Sequence, residues 1–96
     1  MVKLIGISPS DKAGKKYMAK FETEAGRTKT THFGAAGMSD FTKHRDEARK
    51  ASYIARHSAN ENFSNPTSAG ALSRWVLWNK PTLSASIADY KKKFGL

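Results

Sequence analysis

Ninety-six residues, 39% of them hydrophobic and 26% charged, supply enough apolar surface for one packed core; two would each fall below the size that folds unaided. Seventeen Lys and Arg against eight Asp and Glu leave a formal net charge of +9, which points to an acidic partner. With no cysteine, a disulfide framework, a thiolate metal site and a cysteine nucleophile are excluded, and the longest apolar run, Trp75 to Trp78, is far short of the roughly 20 residues that span a bilayer.

In chain order, Val2 to Ser8 is rich in β-branched residues and closes on Pro9-Ser10-Asp11, a strand followed by a turn. From Lys15 to Thr23, Tyr17, Ala19 and Phe21 alternate with Lys16, Met18 and Lys20 at the period of two that separates a buried from a wet face. Gly26 offers the positive φ of a short hairpin loop, and Arg27 to Phe33, with Thr28, Thr30 and Thr31, reads as a third, antiparallel strand. Gly34 to Asp40 is expected to be a tight loop, and Phe41 to Arg45 a crossing segment with its aromatic ring turned inward.

Asp46 to Ala59 has the composition and spacing of a surface helix, with Asp46 and Glu47 at the end the dipole favours. Asn60 to Ser68 is loop-like, and Ala69 to Asn79 concentrates Leu72, Trp75, Val76 and Trp78 in about three turns of a core helix. After Pro81, Thr82 is placed to cap a helix whose apolar stripe is Leu83, Ile87, Tyr90 and Phe94, ended by Gly95. Three strands followed by helices argue an α+β fold. The expected architecture is one basic domain over 1–96, a three-stranded antiparallel sheet covered by two to three packing helices. Its expected core is Ile5, Ile7, Tyr17, Ala19, Phe21, Phe33, Ile54, Leu72, Trp75, Val76, Leu83, Ile87, Tyr90 and Phe94.

Enzyme chemistry finds little support. His32, His44 and His57 lie twelve and thirteen residues apart, so no two share a helical turn; His44 with Glu47 and His57 with Glu61 sit at helical offsets but offer two ligands each. No serine stands in a nucleophile-elbow context, and the eight carboxylates are scattered. Gly34-Ala35-Ala36-Gly37 lacks the Gly-Lys-Ser/Thr ending of a phosphate-binding loop and is read as a chain reversal. The expectation is a protein with no catalytic residue, no metal and no cofactor.

The cations carry more information. Lys15, Lys16, Lys20, Arg27 and Lys29 fall on the expected hairpin; Lys43, Arg45, Arg49, Lys50 and Arg56 fall on or just before the first helix; Lys91, Lys92 and Lys93 form a third group. Arg45, Arg49, Tyr53 and Arg56, at offsets of four, eight and eleven, would form one stripe able to follow a phosphate backbone. Trp75 and Trp78 face either the core or, with Lys80, a partner surface.

Several segments carry a resemblance: Lys15-Lys16-Tyr17, Gly26 to Gly34, His44-Arg45-Asp46, Ala55-Arg56-His57, Asn65-Pro66-Thr67 with Ala69-Gly70, and above all Leu77-Trp78-Asn79-Lys80-Pro81-Thr82-Leu83 with Ser86 to Tyr90. Over nearly the whole chain, Met1 to Phe94, it resembles small basic proteins of uncharacterised function encoded by giant and large nucleocytoplasmic DNA viruses of algae and amoebae. The resemblance implies a viral origin and a place in the virion, or in the host cytoplasm or viral factory; it brings no catalytic residues with it.

Two functions are therefore expected. The first is sequence-independent binding of nucleic acid, DNA ahead of RNA, through Lys16, Lys20, Arg27, Lys29, Arg45, Arg49 and Arg56, in genome packaging. The alternative is a minor capsid protein joining larger capsid proteins by their acidic surfaces, through Trp75, Trp78 and Lys80. Neither requires insertion into a membrane.

Overall fold

The computed structural model describes residues 2–59 and 63–96. Three strands, β1 (Lys3–Pro9), β2 (Lys15–Glu22) and β3 (Thr28–Ala35), form an antiparallel sheet in the order β1-β2-β3. Helices follow: α1 (Phe41–His44), α2 (Glu47–Ser58), α3 (Ala69–Leu72), which continues into a π-helical turn over Ser73–Leu77, and α4 (Leu83–Phe94). This is the expected α+β arrangement, with the crossing segment after β3 coiled into a helical turn of its own.

Alternation in β2 does what its pattern dictates: Ala19 and Phe21 are fully buried while Lys20 and Glu22 face solvent. With Phe33, Leu72, Val76, Leu77 and Tyr90 they form the central cluster, and Leu4, Ile7, Trp75, Leu83, Ile87 and Phe94 pack around it. Ile5 is a correction. The pairing of β1 with β2 shifts between Leu4 and Gly6, and the extra residue turns the alternation over, so that Leu4 and Ile7 pack inward and Ile5 is left 57% exposed. Ile54, also expected in the core, is only half-buried, and Phe41, Tyr53, Ala71 and Leu77 are buried in addition.

The helix expected over Ala69–Asn79 starts on schedule, with Ser68 Oγ accepting from the Ala71 N–H, but it does not stay α-helical. The Trp78 N–H reaches five residues back to the Ser73 carbonyl, 3.1 Å, widening the last turn. Leu72, Val76 and Leu77 are thereby all buried, with Trp75 and Trp78 half-buried on the flanks. Room for Leu77 comes from Gly34, whose φ of +77° is one glycine adopts freely; a Cβ there would stand 2.8 Å from Leu77 Cδ1. Thr82 caps α4 through Ala85, and Gly95, in the left-handed region, closes it.

Candidate nucleic-acid interface

Between β3 and α2 the chain builds a polar joint. Asp40, buried, accepts from the Thr42 N–H and hydroxyl at the head of α1 and from Lys16 Nζ at 2.6 Å. Arg45 then takes a left-handed conformation (φ +53°), and Asp46 Oδ1 accepts from the N–H groups of Ala48 and Arg49, capping α2. His44 Nδ1 accepts from the Asp46 N–H at 2.9 Å and so fixes this reversal.

Helix α2 is seated by rings more than by aliphatic packing. Its one buried residue is Tyr53, stacked on Trp78 with centroids 4.4 Å apart and planes 4° from parallel. His57 stacks on the same ring at 4.2 Å, giving the series Trp78–Tyr53–His57. Lys50 Nζ donates to the Asn79 carbonyl at 2.7 Å, and Asn79 Nδ2 donates to Asp89 Oδ2 at 2.7 Å, tying α2 to α4. That hydrogen bond, helped by Lys80, Lys93 and Lys92, holds the Asp89 carboxyl below the ordinary aspartate range. Arg74 donates to the Trp78 carbonyl at 2.8 Å and covers the Trp75 ring; burial lowers its pKa from the usual arginine value, opposed by Tyr53 and Asp89.

Two adjoining cavities, of about 410 and 510 Å³, run along this seam and share Met38, Ser39, Arg56 and Trp78. Lys15 and His57 line the first, Arg49 and Ser52 the second. Arg49, Ser52 and Arg56 stand at i, i+3 and i+7 on one face of α2. Asp40 is the one carboxylate among the described lining residues, and its charge is met by Lys16. The groove is therefore cationic, with an aromatic wall.

The sequence-expected cations divide. Arg49 and Arg56 converge on the groove, joined by Lys15, which was counted in the hairpin group but not singled out. Lys16 is spent on Asp40 and is not an exposed phosphate contact. Arg45 lies outside α2, its Nε donating to the Pro81 carbonyl at 3.1 Å, and Tyr53 is buried, so the four-residue stripe does not form. The αL reversal at Arg45 breaks the helical register on which it depended. Lys20, Arg27 and Lys29 remain exposed on the hairpin, but Lys20 is opposite Thr30 and Lys29 opposite Phe21, which puts the two lysines on opposite faces of the sheet. Lys29 donates to Thr67 Oγ1 at 3.1 Å.

Of the expected partner surface, Lys80 is exposed, whereas both indoles have internal roles. Trp75 Nε1 donates to the Phe63 carbonyl at 2.9 Å, and its ring lies against Arg74 and Lys93; Trp78 meets Tyr53 and His44. The backbone of Gly34-Ala35-Ala36-Gly37 is committed too, the Ala36 N–H to the Gly14 carbonyl and the Met38 N–H to that of Ala35. Among the described residues no three His, Asp or Glu side chains converge as metal ligands, and no helix is long and apolar enough to cross a membrane. The pairing of His57 with Glu61 involves a residue outside those described.

The model of a family of unknown function, DUF5754, matches residues 5–57, more than half of the chain, and the chain belongs to that family. The matched span runs from the β1 bulge to the end of the ring series on α2; it takes in Lys15, Arg49 and Arg56 and stops short of Trp78. No curated protein and no solved structure matches the chain.

Proposed function

We propose that this member of the DUF5754 family is a nonenzymatic nucleic-acid-binding protein, taking DNA in preference to RNA and contacting phosphates without reading bases. The observation that carries the proposal is the groove in which Arg56 lines one cavity with Lys15 and the adjoining cavity with Arg49, its neighbour on the same helix face, while the nearby carboxylate is already neutralised by Lys16. Asp46 is likewise turned to the cap of α2. Cations held in a concave surface focus the field on an anionic polymer, and Lys20, Arg27 and Lys29, exposed on the hairpin but not on one face, add only to the long-range positive field. The viral resemblance supports a role in packaging the genome within the virion or viral factory. The minor-capsid alternative is less favoured because Trp75 and Trp78 are half-buried, Trp75 held by the Phe63 carbonyl and Trp78 stacked on Tyr53 inside the groove, and do not form one exposed aromatic patch.

The test is fluorescence anisotropy on two DNA oligonucleotides of unrelated sequence. Arg49→Glu with Arg56→Glu should weaken both by a similar factor and reduce the log-log salt slope by about two, which corresponds to some tens of fold near 0.1 M salt. Unchanged affinity would remove the groove from the interface.

A further inference from the structure

We infer that the groove accepts an unpaired nucleotide, its base in the cavity beside the Trp78–Tyr53–His57 rings and its flanking phosphates on Lys15, Arg49 and Arg56, so that single strands are bound in preference to duplex. This rests on the nucleic-acid reading above and names the form of the polymer.

Three features of the cavity support it. Its volume of about 410 Å³ is that of a small-molecule site and takes a base with its sugar, whereas a duplex presents stacked, paired bases that cannot enter. Small residues line one wall, Ala35 from β3, Ala69 and Gly70 from α3 and Ser73 from the start of the π-helical turn, while Tyr53 and His57 from α2 and Trp78, just past that turn, line the other. Aromatic rings next to a track of cations suit a single strand, because a base can bury against the ring edges, the faces of Tyr53 being covered by Trp78 and His57, and every link brings a phosphate to neutralise. The second cavity continues from the first past the shared Arg56 and Trp78, so the next nucleotide has a cationic path toward Arg49.

The chain holds two tryptophans, so Trp75→Phe leaves Trp78, at the groove, as the sole indole reporter. Eight-nucleotide oligothymidylate is titrated against this variant, and a blunt duplex of the same length in parallel. The expected result is quenching of Trp78 emission by the single strand alone, and an affinity for it at least about fivefold above that for the duplex, the lower end of what a base buried against aromatic rings supplies. Equal affinities with Trp78 emission unchanged would overturn the unpaired-base inference and leave the groove as a phosphate site; failure to bind either oligonucleotide would overturn the nucleic-acid proposal as well. A second variant keeps both tryptophans. Ala69→Leu places a larger side chain at an exposed first position of α3 on the cavity wall, where it does not enter the core. In anisotropy with labelled oligonucleotides it should abolish the single-strand advantage and spare duplex binding; persistence of that advantage would overturn the assignment of the cavity.

Discussion

The sheet with α3, the π-helical turn and α4 is held together by burial, whereas α1 and α2 are held on by polar bonds and stacked rings. In the first region Ala19, Phe21, Phe33, Leu72, Val76, Leu77 and Tyr90 form one apolar cluster. In the second, α2 buries a single residue, Tyr53, and depends on the Lys16–Asp40 pair, the Asp46 cap and the reach of Lys50 to Asn79. The groove lies where the two regions meet. A helix that spends few of its side chains on the core keeps a whole face for arginines, and the cost is that its position depends on a small number of directional contacts.

That contrast is sharpest at two lysines four residues apart on β2. Lys16→Met strands the buried Asp40 carboxylate and should cost about 3 kcal/mol in denaturant unfolding, the penalty for breaking a buried ion pair from one side. Lys20→Met, on the same face of the strand but exposed to solvent, should stay within about 0.5 kcal/mol. Equal effects would mean that α1 is not anchored through Asp40.

A smaller effect is expected at the cap. Asp46→Ala removes the acceptor for the Ala48 and Arg49 N–H groups and should cost about 1 kcal/mol, with the helical circular-dichroism signal of α2 lost before the near-ultraviolet tryptophan signal during heating. Simultaneous loss would show that the two regions unfold as one unit.

The smallest effect concerns acid. Since the Asn79 amide and nearby lysines lower the Asp89 pKa in the folded state, the unfolded chain takes up this proton first as pH falls. The stabilisation is complete above the ordinary aspartate pKa of about 3.9 and is lost as pH drops through the lower folded value. Asp89→Asn should therefore flatten the decline of the midpoint temperature below about pH 4; an unaltered decline would show that Asp89 does not link α4 to the loop that receives Lys50.

Much of this architecture was legible because it is local. Alternation in β2, the Thr82 cap, and the Leu83–Ile87–Tyr90–Phe94 stripe each depend on residues within one element, where period and capping chemistry leave few alternatives. Ile5 escaped detection because a bulge inverts the facing of a strand without any change in composition. Arg45 was drawn into a helical stripe because offsets of four and eight look the same whether or not the backbone reverses between them, and no glycine marks that reversal.

The amino-acid sequence by itself determined the surplus of nine positive charges, the order of three strands before the helices, and the lack of any cysteine chemistry. Only the tertiary structure decided which cations act together. It turned Lys16 inward to a carboxylate twenty-four residues away, set Lys20 and Lys29 on opposite faces, and brought Lys15 beside Arg56 around the rings of Tyr53 and Trp78. The physical reason is that a charge is a property of a residue, whereas a binding groove is made by long-range contacts: the glycine that admits Leu77, the widened helical turn that presents Trp78, and the buried ion pair that sets the start of α1.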